Sequence, residues 1–296
     1  MANRTTNREI QALVSMIDEP DPDIFRDIAG KIRHHGHDAI PFLEQELAHI
    51  TDENLRSRVG LLVQQIRNET ILHALTAYAA SNEQDDLLNA WLLVTKHHYP
   101  DVQEENIRKE IDRIRKDVWL EMNDNLTALE QVKVFNHVFY RMHRFRGNIE
   151  DYHHPDNSFI NRVLQSRQGN PLSIGILYMT VARRVNLPIM GVNLPEHFVL
   201  AYMGETIDTE TLLMRDDKPL FYINAFSDGA LFSEKEINDF LRKLDLDPIP
   251  TFFEPCSNKE IVLRMLNNLV AAYEHSGDPA RKAGIETLRD ALEQMV

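Results

Sequence analysis

The sequence predicts an α+β fold that is mainly α, and three observations carry that reading. Apolar residues recur at helical spacing from Ile10 to Met142 and again from Val262 to Met295. Runs rich in branched and aromatic residues, suited to antiparallel strands, occur only between Ile189 and Phe226. Joining the two regimes, Arg167 to Met203 strings together a helix start, an amphipathic helix, a Leu-Pro break and an extended run beginning at a histidine. Such an order can bring two distant side chains together, so this stretch is the first candidate for a site.

From Ile10 to about Arg67 the pattern is one of short amphipathic helices with polar joints. Leu13, Ile17, Ile24, Ile28 and Ile32 keep helical spacing, Pro20 and Pro22 interrupt, and Ile40, Leu43 and Leu47 begin again. A helix this short cannot bury its apolar face alone, so stacked pairs are expected, and 1–100 reads as helical and HEAT-like. Two further helices are expected between Thr70 and Pro100, on Leu72, Leu75, Leu87, Leu88, Trp91, Leu92 and Val94. Ile107, Ile111, Ile114, Val118 and Met122 form one helix face, and Val132, Phe135, Phe139 and Met142 another.

The central region, 101–250, changes character after these helices. Arg146-Gly147-Asn148 and His153 to Asn157 are turn chemistry, with Asn157 or Ser158 able to cap a helix through Leu164. Asn170 is a good N-cap, and Pro171 suits the first helical position because its missing N–H would have no partner there. Ile174, Leu177, Tyr178, Val181, Ala182 and Val185 make a wide apolar stripe that stops at Asn186-Leu187-Pro188. Ile189–Val192, His197–Met203 and Leu220–Phe226 read as strands, with the polar stretch Thr206 to Pro219 as a surface excursion. Ser233 and Glu236 have the spacing of a capping box. Beyond a proline-rich connector, 251–296 reads as a tetratricopeptide-like helical hairpin around Ser276-Gly277-Asp278-Pro279.

Composition removes several function classes. Among 296 residues, 32 basic side chains face 46 acidic ones, a formal net charge of −14, which argues against a general nucleic-acid or anionic-membrane binder. Cys256 is the single cysteine, so no intramolecular disulfide can form, and the composition suits a reducing compartment. With no apolar h-region at the start and no run of about 18 apolar residues, neither a signal peptide nor a membrane span is expected, and the cytoplasm is the expected location. No glycine-rich phosphate loop or GxSxG elbow occurs, so no cofactor is implied.

Residues 167–203 resemble the transglutaminase-like core, and specifically the SirB-type bacterial family in which helical repeats flank that core. Phe145-Arg146-Gly147-Asn148, Tyr152, Pro155, Asn157-Ser158, Arg167-x-Gly169-x-Pro171 and Leu194-Pro195-x-His197-Phe198 carry the resemblance. It resumes at Ile223-Asn224-x-Phe226 and at Arg264 to Leu269. In active members of the superfamily, a cysteine starts the core helix, a histidine starts a following strand and an aspartate on the next strand orients it. The layout makes chemical sense, since a helix N-terminus and a nearby imidazole stabilise a thiolate while the third group fixes the tautomer. The resemblance puts Pro171 at the cysteine position, His197 at the histidine and Asn224 at the aspartate. Asparagine can still orient an imidazole. Proline has no nucleophilic atom and no titratable proton, so the acyl-enzyme mechanism loses its central group.

Other residues fit the missing roles poorly. Ser173 lies two residues into the helix, rotated away from Pro171, and reads as a polar first-turn residue rather than a nucleophile. Cys256, in the connector, reads as a small structural residue. Glu196 and His197 are adjacent, so on a strand they face opposite sides and make a poor acid–base pair, although either could line a pocket, with Asn170 and Ser173 as further contacts. Asp208 is a weaker alternative orienter. His34, His35, His37, His97, His98, His153 and His154 sit at helix ends or turns and read as ordinary histidines rather than metal ligands. The leading expectation is a non-catalytic transglutaminase-like module that binds or scaffolds a protein partner. The alternatives are a hydrolase or transferase on peptide or amide bonds using His197 with Asn224, and a purely structural spacer.

Overall fold

In the computed structural model, residues 2–80, 87–207 and 214–294 are described. The chain forms two compact units, Met1–Ala77 with Lys96–Pro100, and Tyr78–Thr95 with Asp101–Val296.

The first unit is helical. Helices α1 (Ala2–Val14), α2 (Pro22–His34) and α3 (Ile40–Leu47) precede α4 (Glu53–Ala80). Asp21 caps α2 by accepting from Asp23 N at 2.8 Å and Ile24 N at 3.3 Å, and Pro22 takes the first helical position. Ile10, Val14, Ile28, Ile32, Leu43, Val59 and Ile66 are buried together in its core. The sequence predicts a joint near Arg67, yet α4 runs through it unbroken. Nothing from Arg67 to Thr70 removes a ladder donor or clashes with a preceding turn, and the Thr70 hydroxyl donates back to Ile66 O at 2.8 Å.

The second unit draws on α5 (Leu87–His98), α6 (Glu104–Glu121) and α7 (Ala128–Asn136), the last continuing into a π-helical turn over His137–Met142. Ile107, Ile111, Ile114 and Val118 are buried along α6, as their spacing predicts. The π turn changes the outcome on α7. One extra residue per turn rotates the chain, so Met142, expected on the apolar face, is 50% exposed while His143 is buried in its place.

Strand β1 (Arg146–Gly147) pairs in parallel with β2 (Gln168–Gly169), on either side of α8 (Ile160–Ser166). Next come α9 (Pro171–Arg183) and an antiparallel sheet in the order β3 (Ile189–Asn193), β4 (Phe198–Ile207), β5 (Met214–Asn224) and β6 (Ala230–Phe232). The excursion expected over Thr206–Pro219 is therefore largely strand. A backbone ladder needs no apolar side chains, so pairing continues from Leu200↔Ile223 out to Ile207↔Met214 with two register shifts. Helix α10 (Glu234–Lys243) and the pair α11 (Asn258–Ser276) and α12 (Pro279–Glu293) complete the unit. Gly277 ends α11 at φ 69°, and Asp278 with Pro279 starts α12, as the turn chemistry predicts.

Side-chain alternation divides the sheet into two faces. Phe198 and Leu200 point at α9, where a Cβ on Gly175 would lie 2.7 Å from the Phe198 ring. Val199, Ala201, Met203 and Tyr222 pack instead with Ile237 and Leu241 of α10. The turn from β5 to β6 is pinned to α7, because Asn136 donates to Gly229 O at 2.9 Å and accepts from the Tyr178 hydroxyl at 2.9 Å. Gly229 holds φ 70°, and a Cβ there would fall 2.3 Å from Asn136 Oδ1. A Gly229→Ala variant should combine left-handed strain with that clash and lose about 2–3 kcal/mol, read as a lower urea midpoint at constant slope.

Candidate functional site at the start of α9

Helix α9 is buried on nearly every side, from Leu172 through Ala182, so its N-terminus is an internal feature whose free N–H groups need internal partners. Asn170 supplies the cap, its Oδ1 accepting from Ser173 N at 2.9 Å. Its Nδ2 donates to Ser158 Oγ at 2.9 Å, which joins the cap to the 3-10 turn Pro155–Ser158. Asn157 in that turn accepts from Asn148 Nδ2 at 2.9 Å and donates to Asp151 O at 2.7 Å and Tyr152 O at 3.1 Å. Trp91, fully buried, donates its indole N–H to Ser158 O at 2.7 Å. The result is a connected polar network of Asn148, Asn157, Ser158, Asn170 and Ser173, the last four of them buried.

Asn157 and Ser158 were expected to cap α8. Phe159 holds that position without a side-chain bond, and the two polar residues turn inward to the start of α9. The sequence presented Asn148, Asn157, Ser158 and Arg264 as anchors of the resemblance, and that was the available signal for their importance. Arg264 on α11 reaches the same unit's β3–β4 connection, donating to Asn193 Oδ1 at 3.2 Å and Leu194 O at 2.9 Å, with its guanidinium 6.0 Å from the Phe198 ring.

The residues singled out for chemistry lie as follows. Pro171 occupies the first helical position, as expected. Ser173 is buried, its hydroxyl donating to Asn170 O at 3.2 Å, and a Cβ on Gly169 would sit 2.3 Å from its Oγ, so Gly169 lies directly over it. His197 precedes β4 rather than starting it and is exposed, its ring 4.8 Å from Phe240 of α10. Phe198, one residue on, is the side chain that faces α9. Asn224 turns its Oδ1 onto its own chain, accepting from Phe226 N at 3.1 Å and Ser227 N at 3.2 Å. Glu196 is exposed with φ 60°. The network therefore unites Asn170 and Ser173 but contains neither His197 nor Asn224. Asp208 lies outside the described residues.

Cys256 lies elsewhere, in a cleft of about 660 Å³ beside the C-terminal part of α9, the outer edge of β3 and the start of α11, with Arg184, Met190 and Ile261 among its lining residues. Its thiol donates to Gly191 O at 3.3 Å and its N–H to the same oxygen at 2.9 Å. Burial, helped by the Glu260 charge, pushes the thiol up to about 12. Of the histidines, His143 bonds Asp117 at 2.9 Å and burial lowers its pKa, while the His153 ring lies 4.9 Å from that of His275, tilted by 38°. Among the described residues, no group of three or more histidine, cysteine, aspartate or glutamate side chains converges to hold a metal, and no helix is long and apolar enough to cross a membrane.

A sequence model of the transglutaminase-like superfamily matches residues 105–267, from α6 through the first half of α11. The chain belongs to the transglutaminase-like superfamily. The α9 start and the four-stranded sheet described above are both inside the matched region. Among curated proteins, a UPF0162 protein of Xylella fastidiosa is 25% identical over 64% of this chain and 66% of its own length. A UPF0162 protein of Vibrio cholerae is 27% identical over 53% of each chain. F-box only protein 21 of Mus musculus is 30% identical over 53% of this chain and 24% of its own. The chain thus spans just under two thirds of the Xylella relative and a much smaller part of the F-box protein. No solved structure matches the chain significantly.

Two outcomes check this arrangement. Asn170→Ala removes the cap and leaves Ser158 without its donor, so a loss of about 2–4 kcal/mol in chemical denaturation is expected, with Asn170→Asp, which keeps the acceptor, losing less. For Cys256, a folded-state value raised above the unfolded one makes its stabilising contribution complete below about pH 8.5 and lost as pH rises toward 12. Alkylation by iodoacetamide should accordingly be negligible at pH 7.5 in the native protein and fast after unfolding, as mass spectrometry can show.

Proposed function

We propose that this protein is a non-catalytic transglutaminase-like module, of the SirB type, that works in the cytoplasm by binding or scaffolding a protein partner. The observation that carries the reading is the chemistry at the start of α9. Pro171 stands where the resemblance puts the nucleophilic cysteine, and the hydroxyl two residues on, Ser173, is buried under Gly169 and bonded to the backbone. The single thiol of the chain sits at the other end of the helix and stays protonated near neutrality. An imidazole lacking a nucleophile to deprotonate contributes no acyl transfer, and His197 rests on Phe240 instead. Support for a protein partner comes from α6, where the neighbouring Trp119 and Leu120 are each 61% exposed, an apolar area of the kind that recurs at protein interfaces.

The competing enzyme reading assigns hydrolysis or transfer to His197 with Asn224. The test is a panel of amide, ester and thioester donors with amine acceptors, followed by mass spectrometry, on the native chain and on His197→Ala. Turnover no higher than the protein-free blank is expected for both. Turnover by the native chain that His197→Ala abolishes would overturn the proposal.

A further inference from the structure

A cleft of about 460 Å³ opens beside the β1–β2 ladder, lined by Arg141, Arg144, Arg146 and Arg167 with Asp228 as the one acidic group. Four guanidiniums around one carboxylate run against a chain in which acidic residues outnumber basic ones by 46 to 32. Their partners leave positive charge unanswered. Arg141 lies 3.3 Å from Asp228, with both side chains more than half exposed. With the Gln168 amide turned so that its oxygen faces the guanidinium, Arg146 meets a neutral acceptor at 3.0 Å from its Nε, and it has no ion pair among the described residues. Arg144 has no ion pair among the described residues. Arg167 binds Glu110 through Nη2 and lies 4.9 Å over the Phe145 ring, while its Nη1 is buried with no acceptor.

A buried guanidinium nitrogen without an acceptor is uncommon in a native structure, and here it belongs to one of the four arginines that line the cleft. The arginine fork is matched to planar or tetrahedral oxyanions, which it holds by paired charge-assisted bonds. Carboxylates of the protein already take one edge of Arg167 and the rim position of Arg141. What is left over, from the exposed Arg144 and Arg146, is an excess suited to a dianion with three or more acceptor oxygens. We infer that this cleft is a binding site for a phosphate-type dianion, carried either by a small phosphomonoester or by a phosphorylated side chain of a partner. The site is separate from the acyl-transfer question, since none of these arginines belongs to the Asn170 network or to the His197 and Asn224 positions.

Titration calorimetry with phenyl phosphate, benzoate and a phosphoserine peptide, at fixed ionic strength, tests the assignment. Saturable binding of phenyl phosphate or of the peptide is expected, at least tenfold tighter than benzoate, and the tighter of the two names the source of the dianion. Arg144→Gly, which removes the guanidinium while relieving φ 60°, and Arg146→Gln, at an exposed position, should each weaken binding about tenfold with the melting temperature kept. The inference is overturned if neither phosphate binds saturably, if benzoate binds as tightly, or if both folded variants bind like the native chain.

Discussion

Side-chain amides hold the start of α9, and most of the second unit is arranged around them. A helix buried on nearly all sides brings unsatisfied N–H groups into a region without water, where each orphan costs about 1–3 kcal/mol. Asn170 answers one of them directly, Pro171 removes another by having no N–H, and the remaining amide valences run outward through Ser158, Asn157 and Asn148. Because Asn148 N also donates to Gly169 O at 2.9 Å, the same network fixes the short β1–β2 ladder. Local capping, a parallel strand pair and the docking of a 3-10 turn are thus one hydrogen-bonded system, and a network of this kind is stable only when every member is satisfied.

The same constraint bears on the chemistry. A helix N-terminus carries partial positive charge that can lower the pKa of a thiol placed there, whereas here that potential is absorbed by a neutral amide cap. At the opposite end, the thiol the chain does possess is driven the other way by burial and by Glu260. In this member of the superfamily the helix, the sheet and their packing are present with a proline, which has no nucleophilic side-chain atom, at the first helical position.

Helices and their ends were legible wherever a local rule decided them. Asn170-Pro171, Asp278-Pro279 and Gly277 sit where capping and backbone preferences place them, and the α6 face follows its spacing. Features set by packing were not. Nothing in Val132 to Met142 announces the extra residue of the π turn that swaps Met142 for His143, because that choice is made by the surrounding core. His197 lay one residue outside its strand, and since side chains alternate along a strand, that single step separates the face toward α9 from the face toward α10. Asn157 and Ser158 were recognised as cap-forming residues, but which helix they serve depends on a contact 12 residues away in sequence. Acceptors on the same chain compete on short and long range alike, and a linear reading sees only the short.

The bond from Cys256 to Gly191 has a further meaning once β3 is seen as an outermost strand. An unpaired strand edge is a template on which another chain can add, with amyloid-like growth as the extreme case. Here the proline-bounded connector lays its own N–H and thiol across the Gly191 carbonyl, and Arg264 engages the Asn193 side chain at the end of the same strand. At the far side, β6 offers only three residues to an incoming strand. One margin of the sheet is thus partly occupied by the chain's own connector and the other is kept short, so Cys256 leaves an incoming strand less edge to pair with.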